Sequence, residues 1–185
     1  CSQVQGDSVL DIGCSQGITS ILLAREGLTV LGIDISEAAI AYARNEQAKE
    51  TPTVSGRIEF RCTDLAGLPE DRQFDTVILG EVIEHQTHTA RFLTNAAKFV
   101  RPGGTIVITV PFGLHPFPDH KATIFPNDIV SILKAQFSVA LIDVLDGYIR
   151  FVGTKNGQAD AKTIEIATKL TETGAHYVQE KYFAL

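Results

Sequence analysis

The chain has no methionine and only three cysteines, Cys1, Cys14 and Cys62. Three thiols cannot all pair, and neither Cys14 nor Cys62 has a neighbour at CxxC spacing, so they read as buried or loop thiols of a reducing, cytoplasmic setting. No apolar run approaches the roughly 20 residues needed to cross a bilayer, and no basic-then-apolar leader opens the chain, so no membrane partner is expected. Broad basic character is missing too. Sixteen Lys and Arg stand against 22 Asp and Glu, a net charge of −6, which argues against a broad nucleic-acid-binding surface. There is no internal repeat and no low-complexity tract. A chain that begins with Cys and lacks Met is expected to be a piece of a longer, multidomain chain.

What is present is an ordinary globular composition, 44% hydrophobic and 21% charged over 185 residues, enough for one domain with a substantial core. Strand patterns fall at Val9–Ile12, Thr29–Ile33, Arg57–Cys62, Thr76–Leu79, Thr105–Val110, Val139–Val144 and Tyr148–Thr154. The first five are short, β-branched and apolar on both faces, as in a sheet covered on both sides. Helical patterns lie between them at Ile18–Glu26, Ser36–Lys49 and Thr89–Val100, with another over 126–137 opened by Pro126. Ser36 followed by Glu37 reads as an N-cap with a first-turn acid. Asp64 to Arg72 shows little periodicity, so a third crossover helix should be short or absent. Asp146-Gly147 is a hairpin signal, which turns the last strand antiparallel. Residues 1–155 read as one domain, and 156–185 as a helical extension or linker with a late Tyr177/Tyr182/Phe183 cluster.

The densest information lies in Val9-Leu10-Asp11-Ile12-Gly13-Cys14-Ser15-Gln16-Gly17, with Asp34 closing the next apolar run. Two β-type segments flank a Gly-punctuated turn and a helix, the start of an α/β nucleotide-binding unit. A pyrophosphate site wants G-x-G-x-x-G facing a helix N-terminus. Here the spacing is Gly13-x-x-x-Gly17, and Asp11 stands just before the loop. A carboxylate there repels a pyrophosphate and suits a ligand with an amine. An NAD-dependent dehydrogenase is therefore disfavoured.

These residues resemble the first motif of class I S-adenosylmethionine (SAM)-dependent methyltransferases, acid-x-Gly-x-Gly-x-Gly. The resemblance continues through Gly32–Ser36, Cys62-Thr63-Asp64-Leu65, Phe74–Ile78, Leu79–His85 and Arg101–Thr105, and covers about residues 7–154. Ser15 replaces the middle glycine, so that position is expected to keep an ordinary φ. The resemblance implies an α/β, Rossmann-like, doubly wound fold: a seven-stranded mixed sheet, last strand antiparallel, in three α/β/α layers. It implies SAM as cofactor, bound by Asp11, Gly13, Cys14, Ser15, Gly17, Asp34, Ile35, Asp64, Leu65, Gly80 and Glu81. Asp34, at a strand end, would accept from both ribose hydroxyls. Ile35 would pack on the adenine, Asp64 accept from its amine, and Asp11 meet the ammonium directly or through water. Gly13 and Gly17 let the backbone approach the methionine part closely.

Glu81-x-x-Glu84-His85-x-x-His88 poses the sharper question. On a helix, positions i, i+3, i+4 and i+7 share a face, and two carboxylates with two imidazoles suit a divalent metal. The pattern resembles terminal-nucleotide 2′-O-methyltransferases of small RNAs, in which Glu-x-x-Glu-His and a later His bind metal. It equally resembles ubiquinone-type small-molecule O-methyltransferases. The loop Pro111–His120, rich in Pro and aromatics, reads as a semi-rigid acceptor-side lid carrying His115 and His120. The reading favoured here is methyl transfer to a small molecule or glycan, at oxygen, with His85 or His120 as base and Glu84 orienting His85. In that reading no metal is bound, and nucleic acid is disfavoured as a partner because no basic, aromatic-rich strip is present. The alternatives are a metal-dependent RNA 2′-O-methyltransferase using Glu81, Glu84, His85 and His120, or a non-catalytic SAM-binding module.

Overall fold

A computed structural model describes residues 3–69, 71–113 and 117–183, the last nine of these by backbone alone. Cys1 and His115 therefore lie outside the described residues, as do the side chains of Tyr177, Tyr182 and Phe183. Seven strands form one sheet: β1 Ser8–Ile12, β2 Thr29–Asp34, β3 Ile58–Cys62, β4 Phe74–Gly80, β5 Val100–Pro111, β6 Phe137–Leu145 and β7 Tyr148–Lys155. Their order is β3-β2-β1-β4-β5-β7-β6. Pairing is parallel from β3 through to β5, and β7 alone runs antiparallel, inserted between β5 and β6. The turn that permits this is Asp146-Gly147, with φ of 51° and 83°, the two positive angles of a type I′ hairpin.

Alternation along the strands builds two cores. Leu10, Ile12, Leu31, Ile33, Val77 and Leu79 face the larger one, while Val9, Val30 and Ile78 face the other side. The helices are α1 Ile18–Arg25, α2 Glu37–Gln47, α3 Pro52–Ser55, α4 Thr89–Lys98, α5 Pro126–Leu133 and α6 Ala161–Phe183. α1 and α2 cover the second face through Ile21, Ala24, Ile40 and Ala43. α4, α5 and α6 cover the first through Leu93, Ala96, Ile129, Leu133 and Ala167. Three α/β/α layers result. α6 packs on α5 and β6. At Gly174 of α6 an added Cβ would fall 1.5 Å from the Phe112 ring, so helix and ring meet without a side chain between them.

As expected, the stretch between β3 and β4 that lacked periodicity carries no long crossover helix, only the 3₁₀ turn Leu65–Gly67 among the described residues. Other local features differ from the sequence expectations. The four-residue α3 is too short to show a period; its start is marked by the capping Thr51 and by Pro52 at the first helical position. α5 ends at Leu133, and Phe137 opens β6 instead of completing the helix face. β5 begins five residues before Thr105, because Val100 pairs beside Phe74. Ser36 does cap α2, accepting from the Ala39 N–H at 3.2 Å. No helix among the described residues is long and apolar enough to cross a membrane.

Candidate active site

In an open α/β sheet, ligands bind beyond the carboxyl ends of the strands where the order reverses. Here β1 lies between β2 and β4, and a cavity of about 500 Å³ opens above their ends. Gly13, Ser15, Asp34, Ile35, Asp64, Leu65, Glu81 and His85 all line it. Asp11, Cys14, Gly17 and Gly80 do not; they lie behind the wall or support it. Asp11 is buried, and the Ser20 hydroxyl donates to its Oδ2 at 2.6 Å. Burial, helped by nearby Asp34 and opposed by Ser20, raises its carboxyl to about 6. Cys14 is buried beside Gly32 and its thiol is pushed far up, by burial first and then by the charges of Asp11 and Asp34.

The loop geometry corrects one expectation. Ser15 does not keep an ordinary φ: its value is +48°. That conformation costs a non-glycine residue roughly 1–2 kcal/mol, and it directs the Ser15 N–H to Asp34 Oδ2 at 2.9 Å. Asp34 Oδ1 accepts from the Ser36 N–H at 2.8 Å, so both oxygens are held in place before any ligand arrives. Gly13 has φ +70°, and a Cβ there would fall 2.4 Å from Val82 Cγ2. A valine at 13 would therefore collide with the protein itself before it met a ligand, and would not leave the fold intact.

The Glu81–His88 segment is not one helix. Glu81 sits at φ +55°, held by its N–H to the Thr109 carbonyl at 2.9 Å, and only Ile83–His85 form a 3₁₀ turn. The i, i+3, i+4, i+7 face is therefore broken. Glu84, His85 and His120 come together instead, with ligand-type atoms all within 4.8 Å of one another; Glu81 and His88 are outside that group. The loop after β5 brings His120 there, because the Lys121 and Ala122 N–H groups donate to the Glu84 carbonyl at 2.8 and 3.0 Å. The His85 and His120 rings meet edge to face at 5.0 Å, and Phe117 lies 5.4 Å from His120. His85 Nδ1 is 3.2 Å from the Asp119 carbonyl oxygen, and Nε2 is 3.9 Å from Glu84 Oε1.

Electrostatics single out the two glutamates. Glu84 is 2% exposed, and its Oε2 has no hydrogen-bond partner among the described residues. Burial raises its carboxyl above the ordinary range, against the attraction of His85 and His120. Glu81 is exposed as a residue, yet desolvation and the Glu84 charge lift its carboxyl to about 7. Asp64 caps the 3₁₀ turn, its Oδ1 accepting from the Ala66 and Gly67 N–H groups at 3.0 and 3.2 Å, which leaves Oδ2 for a ligand. Val82, Gln86, Phe92 and Thr63 also line the cavity. Neutral side chains of that kind carry no chemical signature: Thr63 lies in the Cys62–Leu65 motif and Val82 and Gln86 inside the Glu81–His88 segment, whereas Phe92 stood near no motif.

Fold and site together define a class I, SAM-dependent methyltransferase architecture. Residues 3–123 match the methyltransferase domain family, and the chain belongs to that family. It is 34% identical to a ubiquinone biosynthesis O-methyltransferase of Coxiella burnetii across 56% of this chain and 43% of that protein. It thus spans less than half the length of that relative. With an O-methyltransferase of Penicillium expansum, cnsE, it shares 31% identity across 92% of this chain and 69% of the other. Among solved structures, magnesium protoporphyrin IX methyltransferase from Synechocystis PCC 6803, with bound S-adenosylhomocysteine, superposes with a TM-score of 0.69 at 24% identity, covering 84% and 78% of the two chains.

Proposed function

We propose that this chain transfers the methyl group of SAM to an oxygen of a small-molecule or glycan acceptor. The observation that carries the reading is one cavity lined by both the pre-oriented Asp34 and His85, the latter grouped with Glu84 and His120. The residues fit the donor. Asp34 is fixed for ribose hydroxyls. Ile35 is an apolar side chain left 79% exposed on the cavity wall, as a flat ring would require, with Leu65 nearby. Asp64 Oδ2 can accept from an amine, and Asp11 offers the carboxylate for an ammonium, directly or through water. Gly13 and Ser15 supply close backbone, with Cys14 and Gly17 in the same loop, and Glu81 lines the cavity next to Gly80 in sequence.

SAM supplies a methyl group on a sulfonium sulfur, already electrophilic, so the protein's task is alignment and proton removal. His85 Nδ1 faces a carbonyl oxygen, which places the hydrogen of a neutral ring on that nitrogen and leaves the lone pair on Nε2. As the acceptor oxygen bonds to the methyl carbon, the S–C bond breaks with its electron pair on sulfur, and the hydroxyl proton passes to Nε2. His120 flanks the same point as the second candidate base. The two relatives named as O-methyltransferases support oxygen as the acceptor atom. The unpaired Cys14 and Cys62 fit a reducing, cytoplasmic setting.

One observation favours a metal-assisted variant of this reading: Glu84 Oε2, partnerless among the described residues, beside His85 and His120. These three residues would hold a divalent cation, whose charge would lower the pKa of a nearby hydroxyl. Calorimetry with SAM, NAD and Mn²⁺ tests both forms. SAM should bind in the micromolar range, roughly −7 to −8 kcal/mol, and NAD should not bind. Mn²⁺ heat that Glu84→Gln abolishes would establish the metal form. Binding of NAD in place of SAM would refute the proposal. SAM binding without methyl transfer to any acceptor would leave a SAM-binding module.

A further inference from the structure

Nearly all of the chain's arginines are engaged. Arg25, Arg61, Arg101 and Arg150 each meet a carboxylate. Arg72 meets Glu59 and the Phe74 ring. Arg44 and Arg57 donate to backbone carbonyls. Among the described residues Arg91, in the first turn of α4, is the one arginine with no partner. The Lys121 side chain, in the segment that carries His120 to Glu84, has no hydrogen-bond or ion-pair partner among the described residues either, like those of Lys98, Lys134 and Lys162. Both line a second cavity, of about 320 Å³, that shares Asp64, Leu65, His85, Gln86 and Phe92 with the first. His88 lines it as well. Its one carboxylate is Asp64, which already has an oxygen occupied by backbone N–H groups.

Arg91 from α4 and Lys121 from the segment after β5 meet at a cavity that shares its wall with the donor site, and together they form a local field complementary to an anion. A guanidinium fork matches the oxygens of a carboxylate or a phosphate, and an ammonium adds a point charge. We propose that this second cavity seats an anionic group of the acceptor, a carboxylate or a phosphate, beside Arg91 and Lys121, with the acceptor's hydroxyl presented to His85. This rests on the reading of the first cavity as the methyl-donor site.

The test uses the chain saturated with S-adenosylhomocysteine, which fills the first cavity, and titrates inorganic pyrophosphate and succinate by calorimetry at low salt. At least one probe should bind. Arg91→Gln and Lys121→Gln should each weaken it by about tenfold, while Lys134→Gln, at the end of α5, changes nothing. Tighter pyrophosphate binding identifies a phosphate-bearing acceptor, and tighter succinate binding a carboxylate. Absence of binding by both probes, or binding that survives both substitutions, overturns the proposal. A chain that fails to bind S-adenosylhomocysteine refutes the donor reading; one that binds it and neither probe refutes this inference alone.

Discussion

Replacing Asp11 with asparagine separates what the fold needs from what the donor needs. Asp11 is 4% exposed, and burial raises its carboxyl from 3.8 to about 6 despite the Ser20 bond. A difference of that size makes the ionised form about 3 kcal/mol less favourable in the folded chain than in the unfolded one. Between those two values the folded chain keeps a proton that the unfolded chain has released. The group's contribution to stability is therefore complete below about pH 3.8 and lost as pH rises through about 6. Asparagine keeps the shape, can still accept from Ser20, and never ionises. Asp11→Asn should therefore melt above the parent at pH 7.5, by about 2–3 kcal/mol or several degrees, and the gap should close near pH 4. Comparing the two chains isolates this residue from Glu81 and Glu84, which titrate in both. Donor affinity should move the other way. Losing the partner of an ammonium costs about 1.5–3 kcal/mol, so SAM should bind at least about tenfold more weakly. Urea melts at three pH values with calorimetry decide the matter. Parallel stability curves for the two chains would refute the buried carboxylate, and unchanged SAM affinity would refute its role at the ammonium.

Asp34→Ala removes the acceptor for the Ser15 and Ser36 N–H groups as well as the expected ribose contacts. SAM affinity measured by calorimetry should fall by about 2–4 kcal/mol; parental affinity would remove Asp34 from the site. Gly13→Val should lose about 3 kcal/mol or more in urea melts, from positive φ and the collision with Val82. Adding Val82→Ala should recover part of that loss, and a Gly13→Val chain that melts like the parent would refute the loop geometry. Ser15→Gly relieves the strain of φ +48° while loosening the unfolded chain, so stability should stay within about 0.5 kcal/mol. SAM affinity should persist as well, because the N–H that reaches Asp34 belongs to the backbone.

The elements that could be read in advance are those whose environment is uniform along their length. Val9-Leu10 and Val77-Ile78-Leu79 are apolar on both faces because helices cover both faces of the sheet, and that leaves a plain mark in sequence. Asp146-Gly147 was legible because few other residue pairs accept two positive φ angles. The front of β5 was not, since Val100 is held as strand by pairing beside Phe74, across from it in the sheet. The same distinction runs through the site. Asp34 could be placed from a strand end alone. The Glu81–His88 spacing could not be interpreted without the backbone, because i, i+3 and i+4 share a face only on a helix, and Glu81 leaves helical space at once. Of the four described non-glycine residues with positive φ, Asp146 and Asn156 are types that tolerate it. Ser15 and Glu81 are not, and both line the cavity. Each is held by a bond from a neighbouring strand or its end, Ser15 by Asp34 and Glu81 by Thr109. The strain at the cavity is therefore set by contacts 19 and 28 residues away along the chain, which no local pattern around either residue expresses.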